Sequence, residues 1–431
     1  MICYSRTMKH LIDKVPAPVI LIIAACMILC SCKCDDTPVI MYFAFEEFNP
    51  KKIGTIDQSA HTITIEVPET TDVKRLIPTI DVGSSDCLTL SPGSGESRNF
   101  TNPVTYEVTN ELEEMVQYLV TVIPVQAAEP DNVTISWSTG SDIPVAQGWT
   151  AVSVLDGEFY VTGGISVETG AFDKVQIYDP VMNTWRDLEA TMNQKRWGHS
   201  SSEVDGKLYV MGGTDQAQGM AHNSIEVYDS STKTWTTSGE MTNGRIGHGA
   251  VTHQGKIYIM GGEYEEPSLT TLRSMEVYDP VSGEWESLAP MITSRIFMGA
   301  CVVDDIIYVL GGGSKYPYPG LKSIEAYNIA ENSWERKADL KVGLGDLRVA
   351  VMDGKIICFG GYALWTDSAT NVVQVYDPEL DQSYLATDLI YQRSASAVAF
   401  HDGKFYVMTG NRAINPEPSF VYETEIGTPE F

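Results

Sequence analysis

Four arginines recur at near-constant intervals in the C-terminal two thirds of this chain: Arg196, Arg245, Arg295 and Arg393, each opening a short segment. A guanidinium is a planar fork of donors that matches carboxylate or sulfate oxygens, so several converging on one mouth would make an anion site. The competing use is architectural, with the same donors satisfying buried carbonyls between repeated units, and the sequence leaves both readings open. Aromatic residues accompany the arginines: Trp149 and Trp197 beside these segments, and Tyr264, Tyr316, Tyr362 and Trp365 in loops that also carry Asp215 and Arg412. Aromatic rings stack on sugar faces while arginines orient an acidic group, a combination that suits uronic or sialic acids. Bond-breaking chemistry is thin by comparison. No nucleophile elbow, zinc spacing or phosphate-binding loop occurs, and neither a metal nor a cofactor is expected.

The elements that must hold these residues are repeats. A glycine pair after an apolar run (YVTGG, YVMGG, YIMGG, YVLGG, CFGG and a degraded YVMTGN) returns with first glycines at 163, 212, 261, 311, 360 and 410, steps of 49, 49, 50, 49 and 50. Asp-Gly or Gln-Gly turns precede the pairs. Tyr-Asp or Tyr-Asn marks at 178, 228, 278, 327 and 376 are followed by Trp185, Trp235, Trp285, Trp334 and, in the fifth unit, Tyr384. Each unit therefore reads as four antiparallel strands. The sixth has three (394–401, 403–409, 419–426), and VTISWS at 133–138 supplies the missing one. These residues resemble the kelch repeat from Thr134 to about Ile426, whose length is near 50 residues. The resemblance implies a closed six-bladed β-propeller, because twisted sheets bury both faces only by stacking around an axis. Hairpin geometry sends the connections between blades and the long loops after the glycine pairs to one face, which becomes the expected binding surface.

Ahead of the repeats, residues 36–126 read as short strands (40–48, 61–67, 73–82, 104–110, 116–125) of a small antiparallel sandwich. The order PxxxGxID, TIxIxVP, LxPTI, NFTNPVTYEV and YLVTV resembles the Ig-like modules that follow the anchor in surface lipoproteins of Gram-negative glycan scavengers. That resemblance implies a stalk. The fold class is accordingly all-β: a six-bladed kelch β-propeller over 133–431 preceded by a small Ig-like β-sandwich, with a linker at 127–132. Residues 1–31 read as an export signal, a basic stretch to Lys14 and an apolar run from Val19 to Leu29. LCSCKC at 29–34 resembles a lipobox with Cys32 as the acylated residue, Cys26 being the alternative. A bacterial envelope lipoprotein anchored to the outer membrane by lipid alone is expected. Of eight cysteines, only Cys87, Cys301 and Cys358 lie in the folded body, without a disulfide framework.

The formal charge is −28, and removal of Arg6, Lys9, Lys14 and Asp13 with the leader makes it −28 − 2 = −30. Such a surface opposes encounter with nucleic acid or anionic lipid headgroups. The repeats are similar to galactose oxidase in fold, whose copper site needs Tyr-His ligands that this chain lacks. They are also similar to N-acetylneuraminate mutarotase, a six-bladed kelch enzyme with a Glu after a glycine pair and an Arg downstream. That resemblance implies Glu263 as general acid and base for ring opening and Arg273 as holder of the sugar carboxylate. Three functions follow in order: a propeller that binds a glycan, acidic by the arginine argument, without turnover; a sugar mutarotase or epimerase; a protein-interaction platform. The sequence fixes no oligomeric state.

Overall fold

The computed structural model describes residues 37–48, 51–69, 71–83, 87–125, 133–215, 221–265, 269–314, 320–363, 368–413 and 419–430. The signal segment with Cys26 and Cys32, the linker, and the loop residues Tyr316 and Trp365 lie outside them. The chain divides into two units, Met1–Ala127 and Ala128–Phe431.

In the first unit, strict alternation in Thr62–Pro68 turns Ile63, Ile65 and Val67 inward. They meet an edge-to-face aromatic cluster of Phe43, Phe45, Phe100 and Tyr106. A five-stranded sheet and a three-stranded sheet enclose this core. The expected purely antiparallel sandwich needs one correction, since Thr62–Pro68 runs parallel to Met115–Val125. Alternation reports which face a residue takes and carries no strand direction. Cys87 is disulfide-bonded, a link that cysteine spacing did not reveal, while Cys301 and Cys358 are free thiols.

The second unit holds six four-stranded antiparallel blades. Blade 1 runs Ala151–Leu155, Glu158–Thr162, Val175–Asp179 and Thr184–Asp187. Blades 2 to 5 begin at Ser200–Val204, Gly249–His253, Gly299–Val303 and Arg348–Met352. Blade 6 comprises Ala397–His401, Lys404–Met408 and Glu425–Glu430, and Thr134–Thr139 closes it as the outermost strand. One chain end thus covers the edge exposed by the other. The third strand of this blade lies later than 419–426, because Ser419–Phe420 instead pairs beside Asn411 in the loop after the degraded glycine pair. Gly427 faces Trp137 at the register where other blades set Tyr against Trp, and a Cβ there would come within 2.6 Å of the Trp137 ring. In blade 5, Ser383 rather than Tyr384 stands opposite Tyr376, so Tyr384 lies one residue past the Trp register.

The repeated marks have distinct jobs. Asp179 Oδ1 accepts the N–H groups of Val181 and Met182 at 2.9 Å, turning the chain into the next strand. Trp185 packs on Tyr178 at 5.0 Å between ring centres and donates its indole N–H to the Ser141 carbonyl. Glycine pairs sit where side chains would collide: a Cβ on Gly163 would lie 2.4 Å from the Arg196 carbonyl oxygen of the next blade.

Each recurrent arginine ties its blade from within. Arg295 donates through Nη1 to the carbonyls of Gly311 and Ser323, both at 2.8 Å, and through Nη2 to Glu325 at 2.7 Å. Glu325 in turn accepts the N–H groups of Ile292 and Thr293 in the segment arriving from blade 3. Arg196 with Glu226 and Arg393 with Glu425 repeat the arrangement at 2.6 and 2.7 Å, and Arg245 with Glu276 does so loosely at 3.4 Å. In blade 1 a buried Gln147–Gln176 hydrogen bond of 3.1 Å takes the same place. Removing one partner of a buried pair strands the other charge, so Arg295→Ala should lose about 3–5 kcal/mol of unfolding free energy in urea titration. Arg295→Gln with Glu325→Gln should lose clearly less; equal losses would show that the pair does not act as a unit.

Candidate functional site

The inter-blade connections and the loops after the glycine pairs meet on one face through six isolated bridges, one per blade: Gly148 with Ile165, Trp197 with Thr214, Ile246 with Glu263, Ile296 with Gly313, Gly345 with Tyr362, and Ser394 with Asn411. The residue after each first partner turns into the left-handed region: Trp149, Gly198, Gly247, Phe297, Asp346 and Ala395 have φ between 50° and 64°. Each donates its N–H to the carbonyl of its counterpart in the preceding blade, Trp149 to Ala395, Gly198 to Trp149, Gly247 to Gly198, Phe297 to Gly247, Asp346 to Phe297 and Ala395 to Asp346, at 2.7–3.0 Å. A closed ring of six backbone hydrogen bonds therefore frames the mouth of the central channel. Glycine suits this conformation, whereas a residue with a side chain pays about 1–2 kcal/mol there. Trp149, Phe297, Asp346 and Ala395 accept that strain, and such outliers cluster at functional sites.

The recurrent arginines do not line this mouth. Arg196, Arg245, Arg295 and Arg393 are each 0% exposed and spend their donors on blade carbonyls and a glutamate, which corrects their reading as ligand contacts. The architectural alternative holds for all four, and the anion argument for acidic sugars loses its donors. Trp149 and Trp197 do meet there, with ring centres 5.6 Å apart. Tyr362 and Arg412 belong to a small four-stranded sheet in which the loops of blades 5 and 6 join through Ser368 and Ala413. Arg412 pairs with Glu423 at 2.8 Å and lies over the Tyr391 ring. Tyr264 is half-buried and Asp215 exposed on their respective loops. Glu263 is 5% exposed and receives a long hydrogen bond from Thr271, whereas Arg273 is exposed. The two residues thus differ in exposure, the carboxylate buried and the guanidinium in solvent.

Beneath the ring, a channel cavity of 170 Å³ is lined by Ser200, His248, Phe297, Arg348 and Ser396 among others. His199 and His248 bond Thr162 and Ser200 at 2.8 Å, and burial drives both imidazoles to low pKa, His248 to about 3, so they are neutral walls. Among the buried polar atoms without a protein hydrogen-bond partner, several belong to the inter-blade connections and the glycine-pair loops at the mouth: Asp346 Oδ1, Ser394 Oγ, Ser396 Oγ, the Asn411 amide, and the indole nitrogens of Trp149 and Trp197. Orphaned polar atoms are rare in folded interiors and mark places where a ligand or solvent completes the bonding. Asp346 is 7% exposed, and burial raises its pKa from 3.8 to about 6 against the opposing pull of Arg348.

Sequence reasoning missed Asp346, Arg348 and Phe297, yet a signal existed. Aligning the six connections gives QGW, RWG, RIG, RIF, LGD and RSA, and the third position is glycine in only two. At the other four the ring position carries a side chain, and Phe297 among them lines the channel cavity.

Six four-stranded blades with this glycine, arginine and Tyr–Trp pattern, closed by the first strand, define a kelch-repeat β-propeller. The chain is a kelch-repeat protein with an N-terminal β-module: residues 131–312 match the KLHDC2/KLHL20/DRC7 Kelch-repeats domain, 294–341 and 345–389 match the Kelch motif, and 40–122 match "SGBP, N-terminal". An F-box/kelch-repeat protein of Arabidopsis thaliana is 33% identical over 105 residues, 24% of this chain and 28% of its own. Kelch-like protein 36 of Rattus norvegicus is 28% identical over 269 residues, 60% of this chain and 43% of its own, so the match spans less than half of these curated relatives. A solved structure titled "Structure of YjhT" superposes with a TM-score of 0.57 at 15% identity, over 67% of this chain and 99% of that one, and shows the shared fold.

The buried carboxylate has a measurable consequence. With its folded pKa raised above the unfolded value, Asp346 destabilises the fold fully above pH 6 and progressively less as pH falls from about 6 to about 4. Asp346→Asn should therefore stabilise the protein at pH 7, by up to about 3 kcal/mol for a shift of about two units. It should also flatten the pH 4–6 limb of the thermal-unfolding midpoint; an unchanged limb would place the titration elsewhere.

Proposed function

We propose that the protein is a bacterial cell-surface glycan-binding protein, held to the outer membrane by lipid on Cys32, whose propeller mouth takes a carbohydrate without turning it over. The observation that carries this reading is the mouth itself. Trp149, Trp197 and Phe297 offer apolar faces, while orphaned donors and acceptors on Asp346, Ser394, Asn411 and the two indoles stand among them. A sugar ring needs that mixture, with C–H faces against aromatic rings and hydroxyls that both donate and accept. The "SGBP, N-terminal" match at residues 40–122 supports it, SGBP denoting surface glycan-binding protein. The requirement for an acidic sugar is not retained, because the arginines that motivated it are buried.

Trp149→Ala and Trp197→Ala should each weaken binding of an array-identified glycan at least about tenfold by calorimetry, equivalent to about 1.4 kcal/mol. Unchanged affinity in both variants would move the site away from the mouth. Silence of the wild-type protein across neutral and acidic glycan arrays would sink the reading.

A further inference from the structure

Arg348 is anomalous among the residues that open the first strand of each blade. Its counterparts two residues past each ring position are Ala151, Ser200, Gly249, Gly299 and Ala397, so one long cation stands in a circle of small residues. Its Nη1 donates to the Leu347 carbonyl, a contact within its own turn. Arg348 on blade 5 lines the channel cavity, as does His199 on blade 2, the blade opposite it in a ring of six. Arg348 therefore stands at the axis. Asp346 stands two residues above it, at the ring. Its backbone and that of Trp149 flank Ala395 in the ring, and an Asp346 carboxylate oxygen and the Trp149 indole nitrogen each lack a partner within hydrogen-bonding geometry. Among the described residues no ion pair within 4.0 Å joins Asp346 to Arg348.

Building on the glycan-binding reading above, we propose that Asp346, Arg348 and Trp149 form an axial subsite that grips the terminal residue of a neutral glycan end-on. The carboxylate accepts hydroxyl protons, the guanidinium and the indole donate to hydroxyl oxygens, and Phe297 and Trp197 border the ring. A carboxylate and a guanidinium together present no net charge, and a ligand anion would meet Asp346 on its way to Arg348. Size sets the end-on geometry. The channel cavity of 170 Å³ lies below the roughly 300–1,000 Å³ of pockets that enclose drug-sized ligands, a size that favours one sugar residue over a chain. The hydrogen-bonded ring fixes the opening through which that residue enters.

The test is saturation-transfer NMR on the full chain with glucose, galactose, mannose, N-acetylneuraminate and glucuronate as free sugars, repeated for Asp346→Asn and Arg348→Met. At least one neutral sugar should show transfer that weakens tenfold or more in each variant, with little from the two acids. Thermal unfolding verifies that the variants are folded, and Asp346→Asn keeps the test open should Arg348→Met fail to fold. Stronger transfer to either acid would overturn the neutral assignment. A neutral signal indifferent to both substitutions, or no transfer from any of the five, would overturn the subsite. Persistent array binding lost in Trp149→Ala would then leave the broader glycan reading standing.

Discussion

The propeller depends on how each blade neutralises the backbone that its neighbour brings to it. The residue two positions before the ring does this from both ends. Its side chain, where it is arginine, donates to the first carbonyl of the blade's own glycine pair, while its main-chain oxygen accepts the second glycine N–H of the preceding blade, as Arg245 does from Gly213 at 2.7 Å. Leu344 and Gln147 accept the same backbone bond from Gly312 and Gly410 without the guanidinium. The backbone lock is thus common to all six blades, and the ion pair is an addition to it. Where the arginine is absent its glutamate is absent too, Gln176 and Gln374 standing instead. A carboxylate left without its guanidinium would be a lone buried charge, which is why the two are present or missing together.

The same lock creates the conflict at the mouth. Held at both ends, the connection must pass through a left-handed residue, and glycine would answer that demand without strain, as Gly198 and Gly247 do. Blades 4, 5, 6 and 1 carry side chains there instead, and the mouth also holds unpartnered polar atoms on Trp149, Ser394 and Asn411 and the buried Asp346 carboxylate. Strain, missing hydrogen bonds and a desolvated charge each oppose folding. Their coincidence at the mouth of an otherwise regular ring is the pattern expected where a function sets local residues against stability.

Much of this was legible in the residues. The 49-to-50-residue period gave six blades, and the Trp of VTISWS revealed the closing strand, because repetition lets each unit vouch for the others. Legibility failed where units depart from the pattern. The third strand of blade 6 lies later than its residues suggested because Ser419–Phe420 pairs in the loop sheet, and Tyr384 passed for a missing Trp because a one-residue slip is invisible without pairing register. The direction of the arginines was unreadable for another reason. A recurrent charged residue in a segment leading to a mouth looks the same whether its five donors point inward or outward, and only the glutamates thirty residues away decide it.

On the proposed glycan-binding reading, long-range and short-range electrostatics both favour a neutral ligand. With −28 formal charges the surface potential repels anions at distances up to a Debye length, about 8 Å at physiological salt, before any contact forms. Had the four arginines faced outward, a local positive mouth could have overcome that field. Instead each is cancelled inside its blade, and among the described residues the one cation lining the channel, Arg348, follows a buried carboxylate by two positions. An acidic sugar would lose on approach and again at the ring. A neutral sugar loses on neither count, and gains hydrogen bonds that the protein leaves unmade.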